Sequence, residues 1–330
     1  MGAKIVAIDY YLPEKTVQSK DLKAEFTDFD IIKTEHKLGI KSRHIHGMET
    51  TLEMGFKAAK KVLDKFTKNI DFIVFCTQTP DFILPTGACI LQDKLELPKT
   101  TGAFDFNLGC SGYVYGLAIC KGLIEAKIAR NILFVTSDTY TKYIHPKDKG
   151  NRTLFGDGAT ASIISFSDSI KIGDFVLGTD GGGYDKLIIR NGGGANNYVQ
   201  DAKIKQYGDG NLYTDNNIYM NGPEIFNFTI ANIPILIEQT LEKNIIKKSE
   251  VDYFVFHQAN KFMLEYLRKK CGIEESRFHL NLEETGNTVS STIPIALVQA
   301  IEEGKIKENS KVMLAGFGVG LSWGATIIEL

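Results

Sequence analysis

Phe104-Asp-Phe-Asn-Leu-Gly-Cys110-Ser-Gly-Tyr-Val-Tyr-Gly-Leu-Ala-Ile-Cys120 is the stretch on which the reading of this chain turns. Phe104, Phe106 and Leu108 alternate with polar residues, the period of a half-buried strand. Gly109 then permits a sharp turn, and Val114, Leu117 and Ala118 fall at helical spacing. Cys110 therefore sits where a strand becomes a helix, beside unpaired N–H groups and the positive end of a helix dipole. Such a setting predicts a lowered thiol pKa and a reactive thiolate. The competing reading is a buried packing cysteine, the commoner fate of a free Cys. The flanking glycines and the strand–turn–helix context favour the nucleophile.

With 330 residues, the chain has room for two domains or one large duplicated one. Its hydrophobic fraction of 43% and charged fraction of 24% are those of an ordinary globular protein. A net charge of −2 supplies no basic field for nucleic acid. No apolar run is long enough to span a bilayer, so no membrane partner is expected. The opening Met-Gly-Ala-Lys-Ile-Val has no secretory h-region, and Val6 stands where a myristoylation signal has Ser or Thr. Five scattered cysteines fit reduced thiols in a cytoplasm; Cys76, Cys89, Cys120 and Cys271 read as packing residues. No CxxC or HxxxH pair supports a metal site, and no cofactor is expected.

Outward from Cys110 the pattern is α/β. Lys4–Ile8, Phe72–Cys76, Asn131–Thr136 and Ala161–Phe166 read as strands, with helices over Thr51–Phe66 and near Gly87–Leu95. The second half echoes the first. Asp71–Gln78 matches Asp252–Gln258, and Phe104–Leu108 matches Phe278–Leu282. Asn131-Ile-Leu-Phe-Val matches Lys311-Val-Met-Leu-Ala, and Gly158-Ala-Thr matches Gly324-Ala-Thr. Four echoes in one order indicate two similar halves, 1–170 and 171–330. Cys110, His257 and the Gly286-Asn287 loop then all fall at carboxyl ends of strands, where open α/β sheets place their sites. A pseudo-twofold packing of the halves would bring them into one cleft.

Neutral imidazole N–H and carboxamide NH₂ groups, from His257 and Asn287, suit a developing enolate or thioester oxyanion. Neither brings a positive charge that would stabilise a substrate carboxylate. The competing readings are a core histidine and a turn with a helix cap before Thr292–Ile301. Gly181–Gly183 and Gly192–Gly194 lack a phosphate-binding context and read as turns in an inserted loop from Thr179 to Asn217. Gly316–Gly324 follows a strand of the repeat, and its backbone N–H groups can complete an oxyanion hole with that of Cys110.

Asn107-Leu-Gly-Cys110-Ser-Gly, Leu154-Phe-Gly-Asp-Gly-Ala159, His257-Gln-Ala-Asn260, Gly286–Pro294 and Gly316–Gly324 resemble the β-ketoacyl-[acyl-carrier-protein] synthase III family of thiolase-like condensing enzymes. The resemblance spans essentially the whole chain. It implies a five-layer αβαβα fold, a homodimer, and an acyl carrier protein as partner. It implies that Cys110 takes an acyl group from acyl-CoA or an acyl-carrier protein. His257 and Asn287 would stabilise the enolate from malonyl-carrier protein, while the Cys110, Gly318, Val319 and Gly320 backbone holds the oxyanion. Leu84, Lys149, Phe226, Asn260 and Lys261 match its substrate-binding positions.

The match departs from the family at the donor end. Asp30–Arg43 lacks the family's coenzyme A-binding Trp, and Lys149 stands where an Arg would stack. Leu84 replaces an aromatic side chain of acetyl-specific members, pointing to a longer or branched acyl group in a specialised paralogue. Lys261, Arg268, Lys269 and Lys270 are candidate carrier contacts, or a solvated helix face. Three other readings stand beside condensation, besides that of a metabolite-binding scaffold. One is acyl transfer to oxygen or nitrogen; another is a non-catalytic partner subunit, which commonly lacks the nucleophile. The third, a papain-like hydrolase, shares the Cys, His, Asn order but not the duplicated pattern.

Overall fold

The computed structural model describes residues 2–330. Short runs of apolar residues bounded by turns form strands buried on both faces, and helices cover those faces. In the first half β1 (Gly2–Tyr11), α1 (Thr51–Leu63), β2 (Phe72–Cys76) and α2 (Gly87–Lys94) come in order. They are followed by β3 (Gly102–Phe106), α3 (Gly112–Glu125), β4 (Asn131–Asp138) and β5 (Gly158–Ser167). The second half runs β6 (Val176–Thr179), α4 (Gly222–Lys243), β7 (Tyr253–Phe256) and α5 (Lys261–Lys270). It ends with α6 (Thr292–Glu302), β8 (Lys311–Gly318) and β9 (Ser322–Glu329).

The first sheet has the order β1-β5-β4-β2-β3 and the second β7-β8-β9-β6. β2 pairs parallel with β3 and β4, while β5 runs antiparallel to β4 and β1. The second sheet repeats this, with β8 parallel to β7 and β9 antiparallel to β8 and β6. The counterpart of β3 is reduced to a single parallel bridge between Phe254 and Phe278. All four sequence echoes thus occupy matching places.

Strand alternation sorts the core into layers. Val74 and Cys76 of β2 share a cluster with Leu117 of α3, Leu297 of α6, and Val255 and Leu314 of the second sheet. Ile73 and Phe75 point the other way, onto Ala58, Ala59 and Val62 of α1. Phe254, Phe256 and Met313 face outward onto Leu236 of α4 and Leu264 of α5. The result is the expected αβαβα stack, with α3 and α6 sandwiched between the sheets. Each fully buried Leu or Phe contributes about 1.5–3 kcal/mol to this packing. The fit of α3 is close: a Cβ on Gly116 would lie 2.0 Å from the Phe134 ring.

Details differ from the sequence reading. α1 stops at Leu63 rather than Phe66, and a Thr50–Glu53 capping box fixes its start. The inserted region carries short antiparallel pairs, Leu187–Ile188 with Tyr219–Met220 and Lys205–Tyr207 with Asn211–Tyr213. Cys89 is exposed rather than packed, because α2 buries Ala88 and Leu91 instead.

Candidate active site

The carboxyl ends of β3, β7 and β8 meet where the two halves face each other. Cys110 lies between β3 and α3, and its first turn closes through a 2.7 Å bond from the Gly112 N–H to the Gly109 carbonyl. β8 passes so close that a Cβ on Gly318 would sit 3.0 Å from the Cys110 sulfur. Gly316 likewise lies against the Cys110 carbonyl, 2.8 Å from where its Cβ would be. Glycine at both positions is a packing requirement. His257 directly follows β7 and is tied to the neighbouring β8 by its N–H on the Ala315 carbonyl, 2.8 Å.

Asn287 is held by the Leu154–Gly158 motif. Its N–H donates to the Leu154 carbonyl and its carbonyl accepts from the Gly156 N–H, both at 3.0 Å. Gly156 admits no side chain, because a Cβ would meet the Thr285 carbonyl oxygen at 2.4 Å. This explains why a Phe-Gly-Asp-Gly run in one half accompanies a Gly-Asn run in the other.

Cys110, His257, Asn287 and Gly318 line one cavity of about 80 Å³, with Leu154, Phe155, Ile225 and Phe317 as apolar walls. All three side chains named from the sequence are at least nine-tenths buried. The Val289 N–H donates to Asn287 Oδ1 at 2.9 Å, which leaves the Asn287 NH₂ for the cavity. His257 Nδ1 lies 2.7 Å from Thr292 Oγ1, and its ring packs edge-on to Phe317. Burial pushes the His257 imidazolium down to about 3, so the ring is neutral at physiological pH.

One expectation is reversed. Burial pushes the Cys110 thiol up to about 12, with Asp138 adding to the rise. Hydrogen bonds from the Cys110 and Val319 backbone N–H groups oppose that shift. The helix N-terminus is where the sequence placed it, yet removal from water outweighs it in the resting site.

The remaining positions scatter. Asn260 lines the cavity and caps α5 by accepting from the Met263 N–H at 2.9 Å. Phe226 stacks on Phe262 at 5.5 Å, and Lys261 packs against Gly39. Gly320 takes φ +138° but is not part of the cavity wall. Lys149 lies over the Phe29 ring at 5.2 Å, in a separate cavity of about 240 Å³ with Phe26 and Lys147. Leu84 is 79% exposed and lies apart from the cavity that holds Cys110. Arg268 is folded onto Glu265 and the Ile273 carbonyl.

Three residues that sequence reading did not single out complete the site. Thr292 and Val289 hold the two donors, as above. Asp138, fully buried at the end of β4, accepts from the Gln78 N–H at 2.8 Å and from Ser290 Oγ at 2.6 Å. A carboxylate ending a strand with an apolar centre, Ile132–Val135, was the available signal.

Comparison with known proteins agrees with this geometry. The family model described as 3-oxoacyl-[acyl-carrier-protein (ACP)] synthase III matches residues 104–181, and its C-terminal model residues 241–330. The β-ketoacyl-[acyl-carrier-protein] synthase III of Clostridium perfringens is 36% identical, covering 100% of this chain and 99% of that one. Its Clostridium tetani namesake is 34% identical over 99% of this chain and 98% of its own. A 2.1 Å crystal structure of a 3-oxoacyl-(acyl-carrier-protein) synthase III superposes with TM-score 0.97 at 41% identity, covering 100% of both chains. The priming β-ketosynthase of the R1128 polyketide pathway superposes at 0.86 with 26% identity, covering 99% and 96%. This chain belongs to the 3-oxoacyl-[acyl-carrier-protein] synthase III family of thiolase-like condensing enzymes.

Proposed function

We propose that Cys110 attacks a thioester, takes its acyl group, and passes it to the carbanion formed by decarboxylating malonyl-acyl carrier protein. The observation that carries this reading is the single cavity shared by Cys110, His257, Asn287 and Gly318. In the first half-reaction the sulfur–carbonyl bond forms and the donor thiol leaves. In the second, loss of CO₂ leaves an enolate whose oxygen takes hydrogen bonds from Asn287 Nδ2 and His257 Nε2. The α-carbon attacks the Cys110 thioester, and its oxyanion is met by the Cys110 and Val319 N–H groups. The tetrahedral intermediate collapses to a 3-oxoacyl thioester and returns Cys110 to the thiol with one solvent proton. Neutral donors suit this task because a cation would stabilise the malonyl carboxylate and hold back decarboxylation.

The apolar walls suit an alkyl acyl group. The family's stacking Arg is replaced by Lys149, which supports an acyl-carrier protein or a modified acyl-CoA as donor. A homodimer is supported by the open edge of β3 and by the exposed run Phe82-Ile83-Leu84, which would bring Leu84 to a second copy. Free cysteines throughout fit a cytoplasmic setting.

Intact-protein mass after incubation with a panel of acyl-CoA and acyl-carrier-protein thioesters tests the first half. An adduct absent from Cys110→Ala is expected, and malonyl-carrier protein should discharge it to a 3-oxoacyl product. His257→Ala and Asn287→Ala should lose decarboxylation by about 10²-fold or more while still acylating. Equal loss of both steps would remove the division of roles.

A further inference from the structure

The turn that follows Asn287 does more than connect it to α6. Val289, buried and β-branched, is held at φ +57°, a conformation such a residue rarely adopts. Strain of this kind persists where the surroundings over-determine it, and it clusters at functional sites. Here it sends the Val289 N–H to Asn287 Oδ1 and brings its carbonyl to the start of α6. That carbonyl receives the Thr292 backbone N–H and also lies 3.1 Å from Thr292 Oγ1.

The Thr292 hydroxyl has one proton and two possible acceptors, the Val289 carbonyl at 3.1 Å and His257 Nδ1 at 2.7 Å. The carbonyl is already engaged by a backbone N–H, whereas Nδ1 has Thr292 as its partner and is enclosed in a ring that burial keeps neutral. A neutral imidazole carries one N–H; when Nδ1 accepts, that N–H is at Nε2. We propose that Thr292 is a positioning residue whose hydroxyl donates to His257 Nδ1, fixing the Nε2–H tautomer and so making His257 a donor to the enolate oxygen.

This rests on the condensation reading above and deepens it. One six-residue turn, Asn287–Thr292, then sets the polarity of both donors: a backbone N–H orients the Asn287 amide, and a hydroxyl proton orients the His257 ring. No proton is exchanged at Thr292 during turnover. Its hydrogen bond strengthens as negative charge grows on the enolate and draws on the Nε2–H.

The test combines one spectrum with one variant series. Selective ¹⁵N-histidine labelling, with His257→Gln to assign the signal, reads the tautomer directly. Wild type should show an unprotonated Nδ1 and a protonated Nε2. Thr292→Val keeps the shape and removes the donor. It should decarboxylate malonyl-carrier protein roughly tenfold more slowly while forming the Cys110 adduct at the wild-type rate. Thr292→Ser should restore decarboxylation. A protonated Nδ1 in wild type would overturn the proposal, even if Thr292→Val failed to fold. So would equal loss of acylation and decarboxylation in Thr292→Val, the mark of a merely structural role. If wild type forms no adduct, the condensation reading fails while the tautomer remains readable, which separates the two.

Discussion

A Cβ placed on Gly318 would lie 2.9 Å from the Cβ of Cys110, so this position governs where the sulfur can stand. Gly318→Ala should push Cys110 out of line and slow adduct formation by about 10²-fold, with the far-ultraviolet circular dichroism unchanged. Adduct formation at the wild-type rate would show that the sulfur is free to relocate. The raised thiol pKa has its own consequence: iodoacetamide labelling of Cys110 should keep climbing between about pH 6 and pH 9, roughly tenfold per unit. A plateau near neutrality would mean that the helix terminus prevails over burial. Cys110, His257 and Asn287 were legible in the sequence because the first two follow strands, and the third follows the Phe278 segment that echoes one, all at the same end. The thiol's ionisation was not, because desolvation depends on how many layers close over it. The surroundings of Leu84 were not legible either: it is 79% exposed and lies apart from the cavity of Cys110.

Strands were the most readable elements, since burial on both faces makes short apolar runs such as Phe72–Cys76 stand out between turns. The Asn287–Thr292 turn was readable as a turn but not as a device, because a left-handed valine leaves no pattern in the sequence. The same turn is anchored from the first half by Asp138, through Ser290. Burial pushes the Asp138 carboxyl up to about 7 from an ordinary 3.8. The folded chain therefore binds that proton more tightly than the unfolded chain, and stability is lost as pH rises through this interval. Asp138→Asn removes the ionisation. Its stability relative to wild type should rise between pH 5 and pH 8, whatever offset the altered hydrogen bonds impose. Urea midpoints of both proteins at the two pH values measure this, and a gap independent of pH would show an ordinarily titrating carboxyl.

The whole molecule is a duplication whose copies have diverged at one edge. In the first half β3 is a full strand; in the second its counterpart has shrunk to the Phe254–Phe278 bridge. The first sheet consequently ends on a five-residue edge with unpaired backbone groups, which folded chains normally cover or blunt. Phe82, Ile83 and Leu84 are respectively 57%, 93% and 79% exposed, an apolar run of the sort that marks an interface. Their burial against a second copy would contribute on the order of 1.5–3 kcal/mol per side chain. Light scattering on a sizing column should therefore give twice the chain mass at micromolar concentration. Ile83→Asp with Leu84→Asp should shift that mass toward the monomer without unfolding it, since neither side chain belongs to a core cluster. If Leu84 completes the acyl cavity of the other copy, Leu84→Phe should keep the dimer and shorten the longest acyl group loaded onto Cys110. A monomeric wild type would sink the interface; a dimer with unchanged acyl preference would leave the interface and remove Leu84 from the pocket.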